Sequence, residues 1–311
     1  MSTSPPSPAA SPAELVPARL ASSLLLVRAA AEGIEVFALR RAGSMAFSAH
    51  ATAFPGGRVD PADDLPAELW RGVDLDEWAR RLGTDAAPEG AASQMSELSP
   101  RDAAGRLLAA ALRETYEETG VLLALDAQTG AAVDPTLIRS LPEDTRTRLE
   151  AHELAFGDLL AEHGLVPDVA ALVPWSRWIT PVGGPRRYDT VFFVVRLPEG
   201  QEPERMSSEA ASHGWSSPEA LLAEFRRGTV NLMTPSWWQL RQLSAATQAG
   251  TDWADILALG HAHEPVRPVM LRPTADHASR VQEFLHAEEY LADLASFRAA
   301  AQVEESPDNV L

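Results

Sequence analysis

The apolar positions of this chain follow two rhythms. SSLLLVRAA (22–30) is a nearly continuous apolar run of strand length, and EGIEVFALRR (32–41) follows it after a glycine-bearing turn. Together they predict a hairpin. ALVPWSRWIT (171–180), TVFFVVRLP (190–198) and a piece near Ser212–Trp215 predict further strands, and VLLAL (121–125) a strand or a short extension. Elsewhere the spacing is helical. LPAELWRGVDLDEWARRLG predicts an amphipathic helix with Leu65, Leu69, Val73, Leu75, Trp78 and Leu82 on its apolar side. Ser99-Pro100-Arg101-Asp102 is a helix start: a capping hydroxyl, a proline in the first turn, an acid three residues after the cap. That helix runs through AAGRLLAAALRETYEET to Gly120, which is placed to end it. Further helices are predicted after Pro142 to residue 165 and over 216–228, 234–247, 251–260 and 279–302.

These strands and helices span 14–247, preceded by a Pro/Ser/Ala-rich disordered tail (1–13) and followed by a helical extension (248–311). The chain has 311 residues, 45% of them hydrophobic, and no cysteine. Disulfides, thiolate metal sites and a cysteine nucleophile are therefore excluded. A net charge of −18 without a dense basic run argues against nucleic-acid partners. No apolar run reaches the ~20 residues of a membrane span, so no membrane partner is expected either. The start lacks a signal peptide's pattern, and the expected location is the cytoplasm.

The chemistry concentrates in RETYEETG (113–120). On a helix Glu114, Glu117 and Glu118 share one face, where three carboxylates repel each other unless a cation lies among them. An acidic face that simply meets water is the competing reading. The cluster's position in the last helical turn argues against it, because the helix dipole disfavours negative charge there. Hard divalent ions prefer such oxygen ligands and bridge them to phosphates. Arg113 can orient a neighbouring carboxylate with its planar fork.

RETYEETGV resembles the second half of the Nudix box, Gly-x5-Glu-x7-Arg-Glu-U-x-Glu-Glu-x-Gly-U, where U is a bulky apolar residue. Arg113, Glu114, Glu117, Glu118, Gly120 and Val121 match; Thr115 takes an apolar position. AFPGGRVDPAD (53–63) resembles the first half, with Gly57 in register and Asp63 where the pattern has Glu. Arg113 follows Gly57 by 56 positions where the pattern has 14, an excess of 42. A loop insertion of that size is tolerable because closure entropy grows slowly with length. With the flanking WSRWITP and RRYDT segments, the stretch from Leu24 to Leu243 is similar to the peroxisomal coenzyme A diphosphatase group of Nudix hydrolases. The terminal NVL is not the peroxisomal address.

The resemblance implies an α/β/α sandwich with a mixed sheet, Mg²⁺ or Mn²⁺ as cofactor, and a small-molecule nucleotide diphosphate as substrate. For coenzyme A or its thioesters the products would be 3′,5′-ADP and (acyl-)4′-phosphopantetheine. ADP-ribose, NADH or dinucleoside polyphosphates are alternative substrates, and a non-catalytic ligand sensor is the alternative of another class. Glu114, Glu117 and Glu118 are the expected metal ligands, with a backbone carbonyl of Gly56 or Gly57. Glu114 or Glu117 is the expected base and Glu209 a further candidate; Arg113 completes the catalytic set. Arg58, Arg40, Arg41, Arg186 and Arg187 are candidate phosphate contacts, and His50 a candidate lining residue. His261 and His263 are read as structural, and Trp175, Trp178, Trp237 and Trp238 as core or subunit contacts. Residues 64–98 are a candidate wall or lid. The C-terminal helices are expected to build a homodimer interface or to cover the substrate tail.

Overall fold

The computed structural model describes residues 16–31, 33–41, 51–85, 93–180, 186–203, 210–248, 256, 266, 268–270, 284 and 286–304. Its strands are β1 (Arg19–Ala30), β2 (Gly33–Arg41), β3 (Ala51–Ala53), β4 (Gly56–Arg58), β5 (Ala124–Asp126), β6 (Leu165–Pro167), β7 (Val173–Ile179), β8 (Tyr188–Arg196), β9 (Ala210–Ser216), β10 (Asn231–Leu232) and β11 (Pro268–Met270). The helices are α1 (Leu75–Leu82), α2 (Pro100–Thr119), α3 (Pro135–Ser140), α4 (Thr145–Glu150), α5 (Phe156–Glu162), α6 (Pro218–Arg226), α7 (Thr234–Gln248) and α8 (Ala287–Glu304).

The main sheet runs β10-β3-β2-β1-β8-β7-β11, with β4 on β1 and β9 on β2; β5 and β6 form a separate pair. β1 and β8 are parallel along their length, while β1–β2 and β7–β8 are antiparallel. The mixed sheet expected from the sequence is present. One side of β1 has two partners in succession. Ala21, Ser22 and Ser23 pair with Arg58, Gly57 and Gly56, and Val27 to Ala30 pair with β2. The sheet forks there, and the fork carries the glycine pair.

Alternation along the strands divides the core between two faces. Leu20, Leu24 and Leu26 of β1 and Val191, Phe193 and Val195 of β8 face a cluster containing Leu107, Leu108 and Leu112 of α2. Leu25, Val27, Phe192 and Val194 face Leu221, Phe225, Trp237 and Leu240 of α6 and α7. The result is the α/β/α sandwich. Trp178 and Trp237 are core residues of the second face. α8 packs over α6, with Phe297 and Tyr290 stacked on Phe225 at 5.2 and 6.4 Å.

α2 begins and ends where the sequence predicts. Ser99 Oγ accepts from the Asp102 N–H at 3.1 Å, and Gly120 closes the helix at φ 77°, its N–H donating to Tyr116 O at 2.8 Å. Three expectations are corrected. The helix expected over 65–83 is a single 3₁₀ turn (Ala67–Trp70) followed by α1, because Gly72 turns left-handed (φ 81°) and Asp74 caps a new start. The helix expected after Pro142 to residue 165 is only α4 and α5, with α3 ahead of Pro142; His152 at φ 57° breaks the run. VLLAL contributes only Ala124 and Leu125 to a strand. Residues 1–13 and most of the helix expected over 251–260 lie outside the described residues, as do His261 and His263.

The described part of the insertion is core. Leu65, Leu69, Trp70, Leu75, Trp78, Leu82 and Met95 are buried with α2 and α5. Leu75 and Trp70 come within 4 Å of where a Cβ on Gly105 would sit, and Thr84 Oγ1 donates to Pro100 O at 2.8 Å. At 1.5 Å per residue, Gly105 lies ~18 Å along the helix from Glu117. These contacts build a fixed wall on the first half of α2, not a lid over its end. A buried pair anchors that wall. Arg177 and Asp189, both fully buried, bond at 2.8 Å; Arg177 donates to Gly83 O at 2.6 Å and Ser93 to Asp189 at 2.8 Å. The WSRWITP and RRYDT segments thus hold the insertion at Gly83 and Ser93.

Candidate active site

The fork in the sheet brings the two sequence halves together. β4 lies beside the last two turns of α2, and the chain after it turns through a short 3₁₀ segment (Pro61–Asp63) capped by Asp60. Asp63 is fully buried under the helix. Arg113 takes a forked pair of bonds to it, Nε to Oδ1 at 2.8 Å and Nη2 to Oδ2 at 3.1 Å. Nη2 also donates to Arg58 O at 3.1 Å, and Nη1 reaches Glu114 and Glu117, each at 3.0 Å. The shorter Asp63 reaches its partner because the Asp60–Asp63 capping box draws the loop in, with Asp60 N–H donating to Asp63 Oδ2 at 2.7 Å.

The glycines serve close approach. A Cβ on Gly57 would overlap the Glu114 carboxylate, and one on Gly56 would run into Ser22 O and Ser23 Cα. Gly56 N–H donates to Glu118 Oε2 at 3.0 Å.

One guanidinium therefore serves three buried or half-buried carboxylates, and the site carries excess negative charge. Burial pushes the Glu114 carboxyl up to about 7, against the attraction of Arg113. Burial raises Glu117 as well, with Arg113 again opposing and Asp63 and Glu150 adding to the rise. Burial works against the Arg113 charge, but its bonds to Asp63 and the fields of Glu114 and Glu117 prevail and push it up. Glu117 Oε1 is buried without a hydrogen-bond partner among the described residues.

No three acidic or histidine side chains are gathered at metal-ligand spacing among the described residues. Glu114 and Glu117 are instead drawn onto Arg113, and Glu118 onto Gly56. The donor set nonetheless suits a hard divalent cation: all oxygen, anionic, partly shielded from water, with one buried carboxylate oxygen that no described group meets.

The other candidates are placed as follows. Arg58 is exposed at the end of β4, next to the site. Arg40 and Arg41 belong to β2, Arg40 pairing with Thr52 and Ser212; their side chains lie outside the described residues, as do His50 and Glu209. Arg186 is exposed. Arg187 is a correction: its guanidinium is buried and donates to Val16 O at 2.7 Å and Thr180 O at 3.2 Å, so it ties chain segments together instead of meeting phosphate. Two contributors are absent from the sequence expectations. Asp60 has a visible signal in the Asp-Pro-Ala-Asp capping box. Arg146 has none. It donates from Nε and Nη2 to Glu117 O at 3.0 and 2.6 Å across a gap of 29 residues.

The family model of the NUDT19 Nudix domain matches residues 13–243. The chain belongs to the NUDT19 Nudix family. It is 33% identical over 234 residues to the acyl-coenzyme A diphosphatase NUDT19 of Gallus gallus, an alignment covering 67% of this chain and 61% of that one. It is 30% identical to the Homo sapiens protein of the same name, covering 69% and 61%. The chain thus spans about three fifths of these NUDT19 relatives. Among solved structures, the NUDIX hydrolase from Alicyclobacillus acidocaldarius superposes with a TM-score of 0.60 at 27% identity, covering 78% of this chain and 96% of that one. The matched range includes both halves of the interrupted box.

Proposed function

We propose that this chain is a Mg²⁺- or Mn²⁺-dependent diphosphatase that cleaves coenzyme A or acyl-coenzyme A to 3′,5′-ADP and the corresponding (acyl-)4′-phosphopantetheine. The observation that carries the reading is the under-neutralised carboxylate site at the fork, where Glu117 Oε1 is buried with no partner among the described residues. The names of the NUDT19 relatives support the substrate class. Glu117 and Glu118, with Glu114, would hold the cation, and Arg113 with Asp63 sets the carboxylates' orientation.

A diphosphate resists hydrolysis because its own charge repels a nucleophile. A cation held by Glu114, Glu117 and Glu118 would supply charge neutralisation and a more acidic water. Glu114, whose carboxyl burial raises to about 7 in the cation-free chain, is the carboxylate placed to take a proton from water. Its oxygens already lie against the Gly57 backbone, where substrate would approach. Arg58 stands at the mouth of the site for the anionic end of the substrate.

Incubation with Mg²⁺ and a panel of coenzyme A, acyl-coenzyme A, ADP-ribose and NADH, with products identified by mass spectrometry, tests this reading. Turnover confined to the coenzyme A compounds, giving 3′,5′-ADP, is the expected result. Preferential cleavage of ADP-ribose or NADH would overturn the substrate class, and binding without any turnover would favour a sensor.

A further inference from the structure

We infer that Arg146 is a positioning residue that holds the metal-bearing end of α2 in its working register, an inference that rests on the function proposed above. The last carbonyls of a helix have no partner within it and need one from elsewhere. In α2, Tyr116 O is met by the Gly120 N–H and Thr115 O by the Thr119 hydroxyl at 2.6 Å. Glu117 O is met by Arg146, through two donors of one planar guanidinium at 3.0 and 2.6 Å.

This clamp falls on the peptide of the residue whose buried carboxylate oxygen no described group meets. Two bonds from a rigid fork hold that carbonyl oxygen in place, and the same peptide unit leads into Glu118. The last turn of α2 contains no basic residue. Its acids therefore sit at the negative end of the helix dipole, where a cation is favoured. Arg146 supplies that cation from another element. Its mount is firm: α4 buries Thr145 and Leu149. Gly120, held left-handed at φ 77°, lies beside the guanidinium. Both bonds of the clamp end on backbone, so the clamp acts on the ligands' placement.

Mn²⁺ binding followed by electron paramagnetic resonance, beside coenzyme A turnover over a range of Mg²⁺, tests the role in wild type, Arg146→Ala, Arg146→Gln and Arg146→Lys. Residues that orient metal ligands typically change affinity by about 10–100-fold. Arg146→Ala is expected to weaken Mn²⁺ binding about 10-fold and to raise the half-saturating Mg²⁺ by a similar factor, with the KM for coenzyme A nearly unchanged. Arg146→Lys, which keeps the charge and loses the fork, should fall between. Should Arg146→Ala fail to fold, Arg146→Gln decides by the same titration. Wild-type Mn²⁺ affinity in the folded variants would overturn the positioning role alone. A wild type that binds no Mn²⁺ would overturn the metal reading, and the role with it.

Discussion

The two halves of α2 are built for different purposes. From Ala103 to Leu112 the helix is alanine and leucine except for Gly105 and Arg106, and it is buried against β1 on one side and the insertion on the other. Apart from Arg106 Nε, which no described group meets, the polar groups around it are paired: Ser22 donates to Leu107 O at 2.7 Å, and Arg101 meets Asp76 at 2.9 Å. From Arg113 to Thr119 the same helix carries three glutamates, one guanidinium shared among three carboxylates, and a buried oxygen that no described group meets. The first half is organised for stability. The second half keeps like charges close together, which stability alone would not select, and that contrast marks it as the site.

The sharpest way to break this contrast is to remove packing from the first half. Trp78 of α1 is buried in the insertion's contact with α2, and Arg81 lies 4.2 Å from its ring centre. Trp78→Ala should cost about 3–5 kcal/mol, the usual range for a buried aromatic. The melting temperature should fall by roughly 10 °C for a domain of this size. Turnover per folded molecule should stay near wild type, because nothing at the fork has changed. A large drop in turnover at a temperature where the variant is fully folded would show the insertion to be part of the site.

Glu118→Gln reverses the pattern. Glutamine keeps an oxygen that can accept from the Gly56 N–H, now 3.0 Å from Glu118 Oε2. The fold should hold, with little movement of the melting temperature. Mg²⁺-dependent turnover should fall by at least ~100-fold, equivalent to ~2.7 kcal/mol of barrier. Wild-type turnover in this variant would remove Glu118 from the metal site.

The same division governs what the amino-acid sequence makes legible. The first half of α2 is legible to the residue, because a serine cap, a first-turn proline and a left-handed glycine are local signals, and Ser99, Pro100 and Gly120 act where they stand. Strands β1, β2, β7 and β8 are legible through their apolar runs. The break at Gly72 and Asp74 is also local, but the apolar spacing of Leu69, Val73 and Leu75 runs across it and suggests one helix. Tertiary burial, of Leu69 against α5 and of Leu75 against α2, satisfies that spacing equally well in two pieces. At the site, Arg113 and the glutamates are legible as a pattern; their partners are not. Arg187 and Arg146 look alike in sequence, and only the chain's path decides that one ties Val16 and Thr180 together while the other clamps Glu117 O.

The smallest effect separates the halves by proton. Burial holds the Glu114 carboxyl up to about 7, well above the usual range for glutamate, and the first half of α2 has no buried carboxylate to compare with it. Between that usual range and about pH 7, folded chains keep a proton on Glu114 that unfolded chains have already released. Unfolding then releases a proton, so raising the pH through this window favours unfolding, and the effect is complete above it. Without divalent cations, the melting temperature should decline from about pH 5 to about pH 7.5 by the equivalent of ~1–2 kcal/mol, then level off. Glu117 is raised for the same reason and adds to the slope. Glu114→Gln cannot titrate there and should flatten part of the decline, while Trp78→Ala should lower the whole curve and leave its slope alone. Mg²⁺ should also flatten it, since cation and proton compete for the same oxygens. Equal slopes in wild type and Glu114→Gln, measured in chelator, would mean that Glu114 is ionised throughout and is not the carboxyl that holds a proton near neutrality.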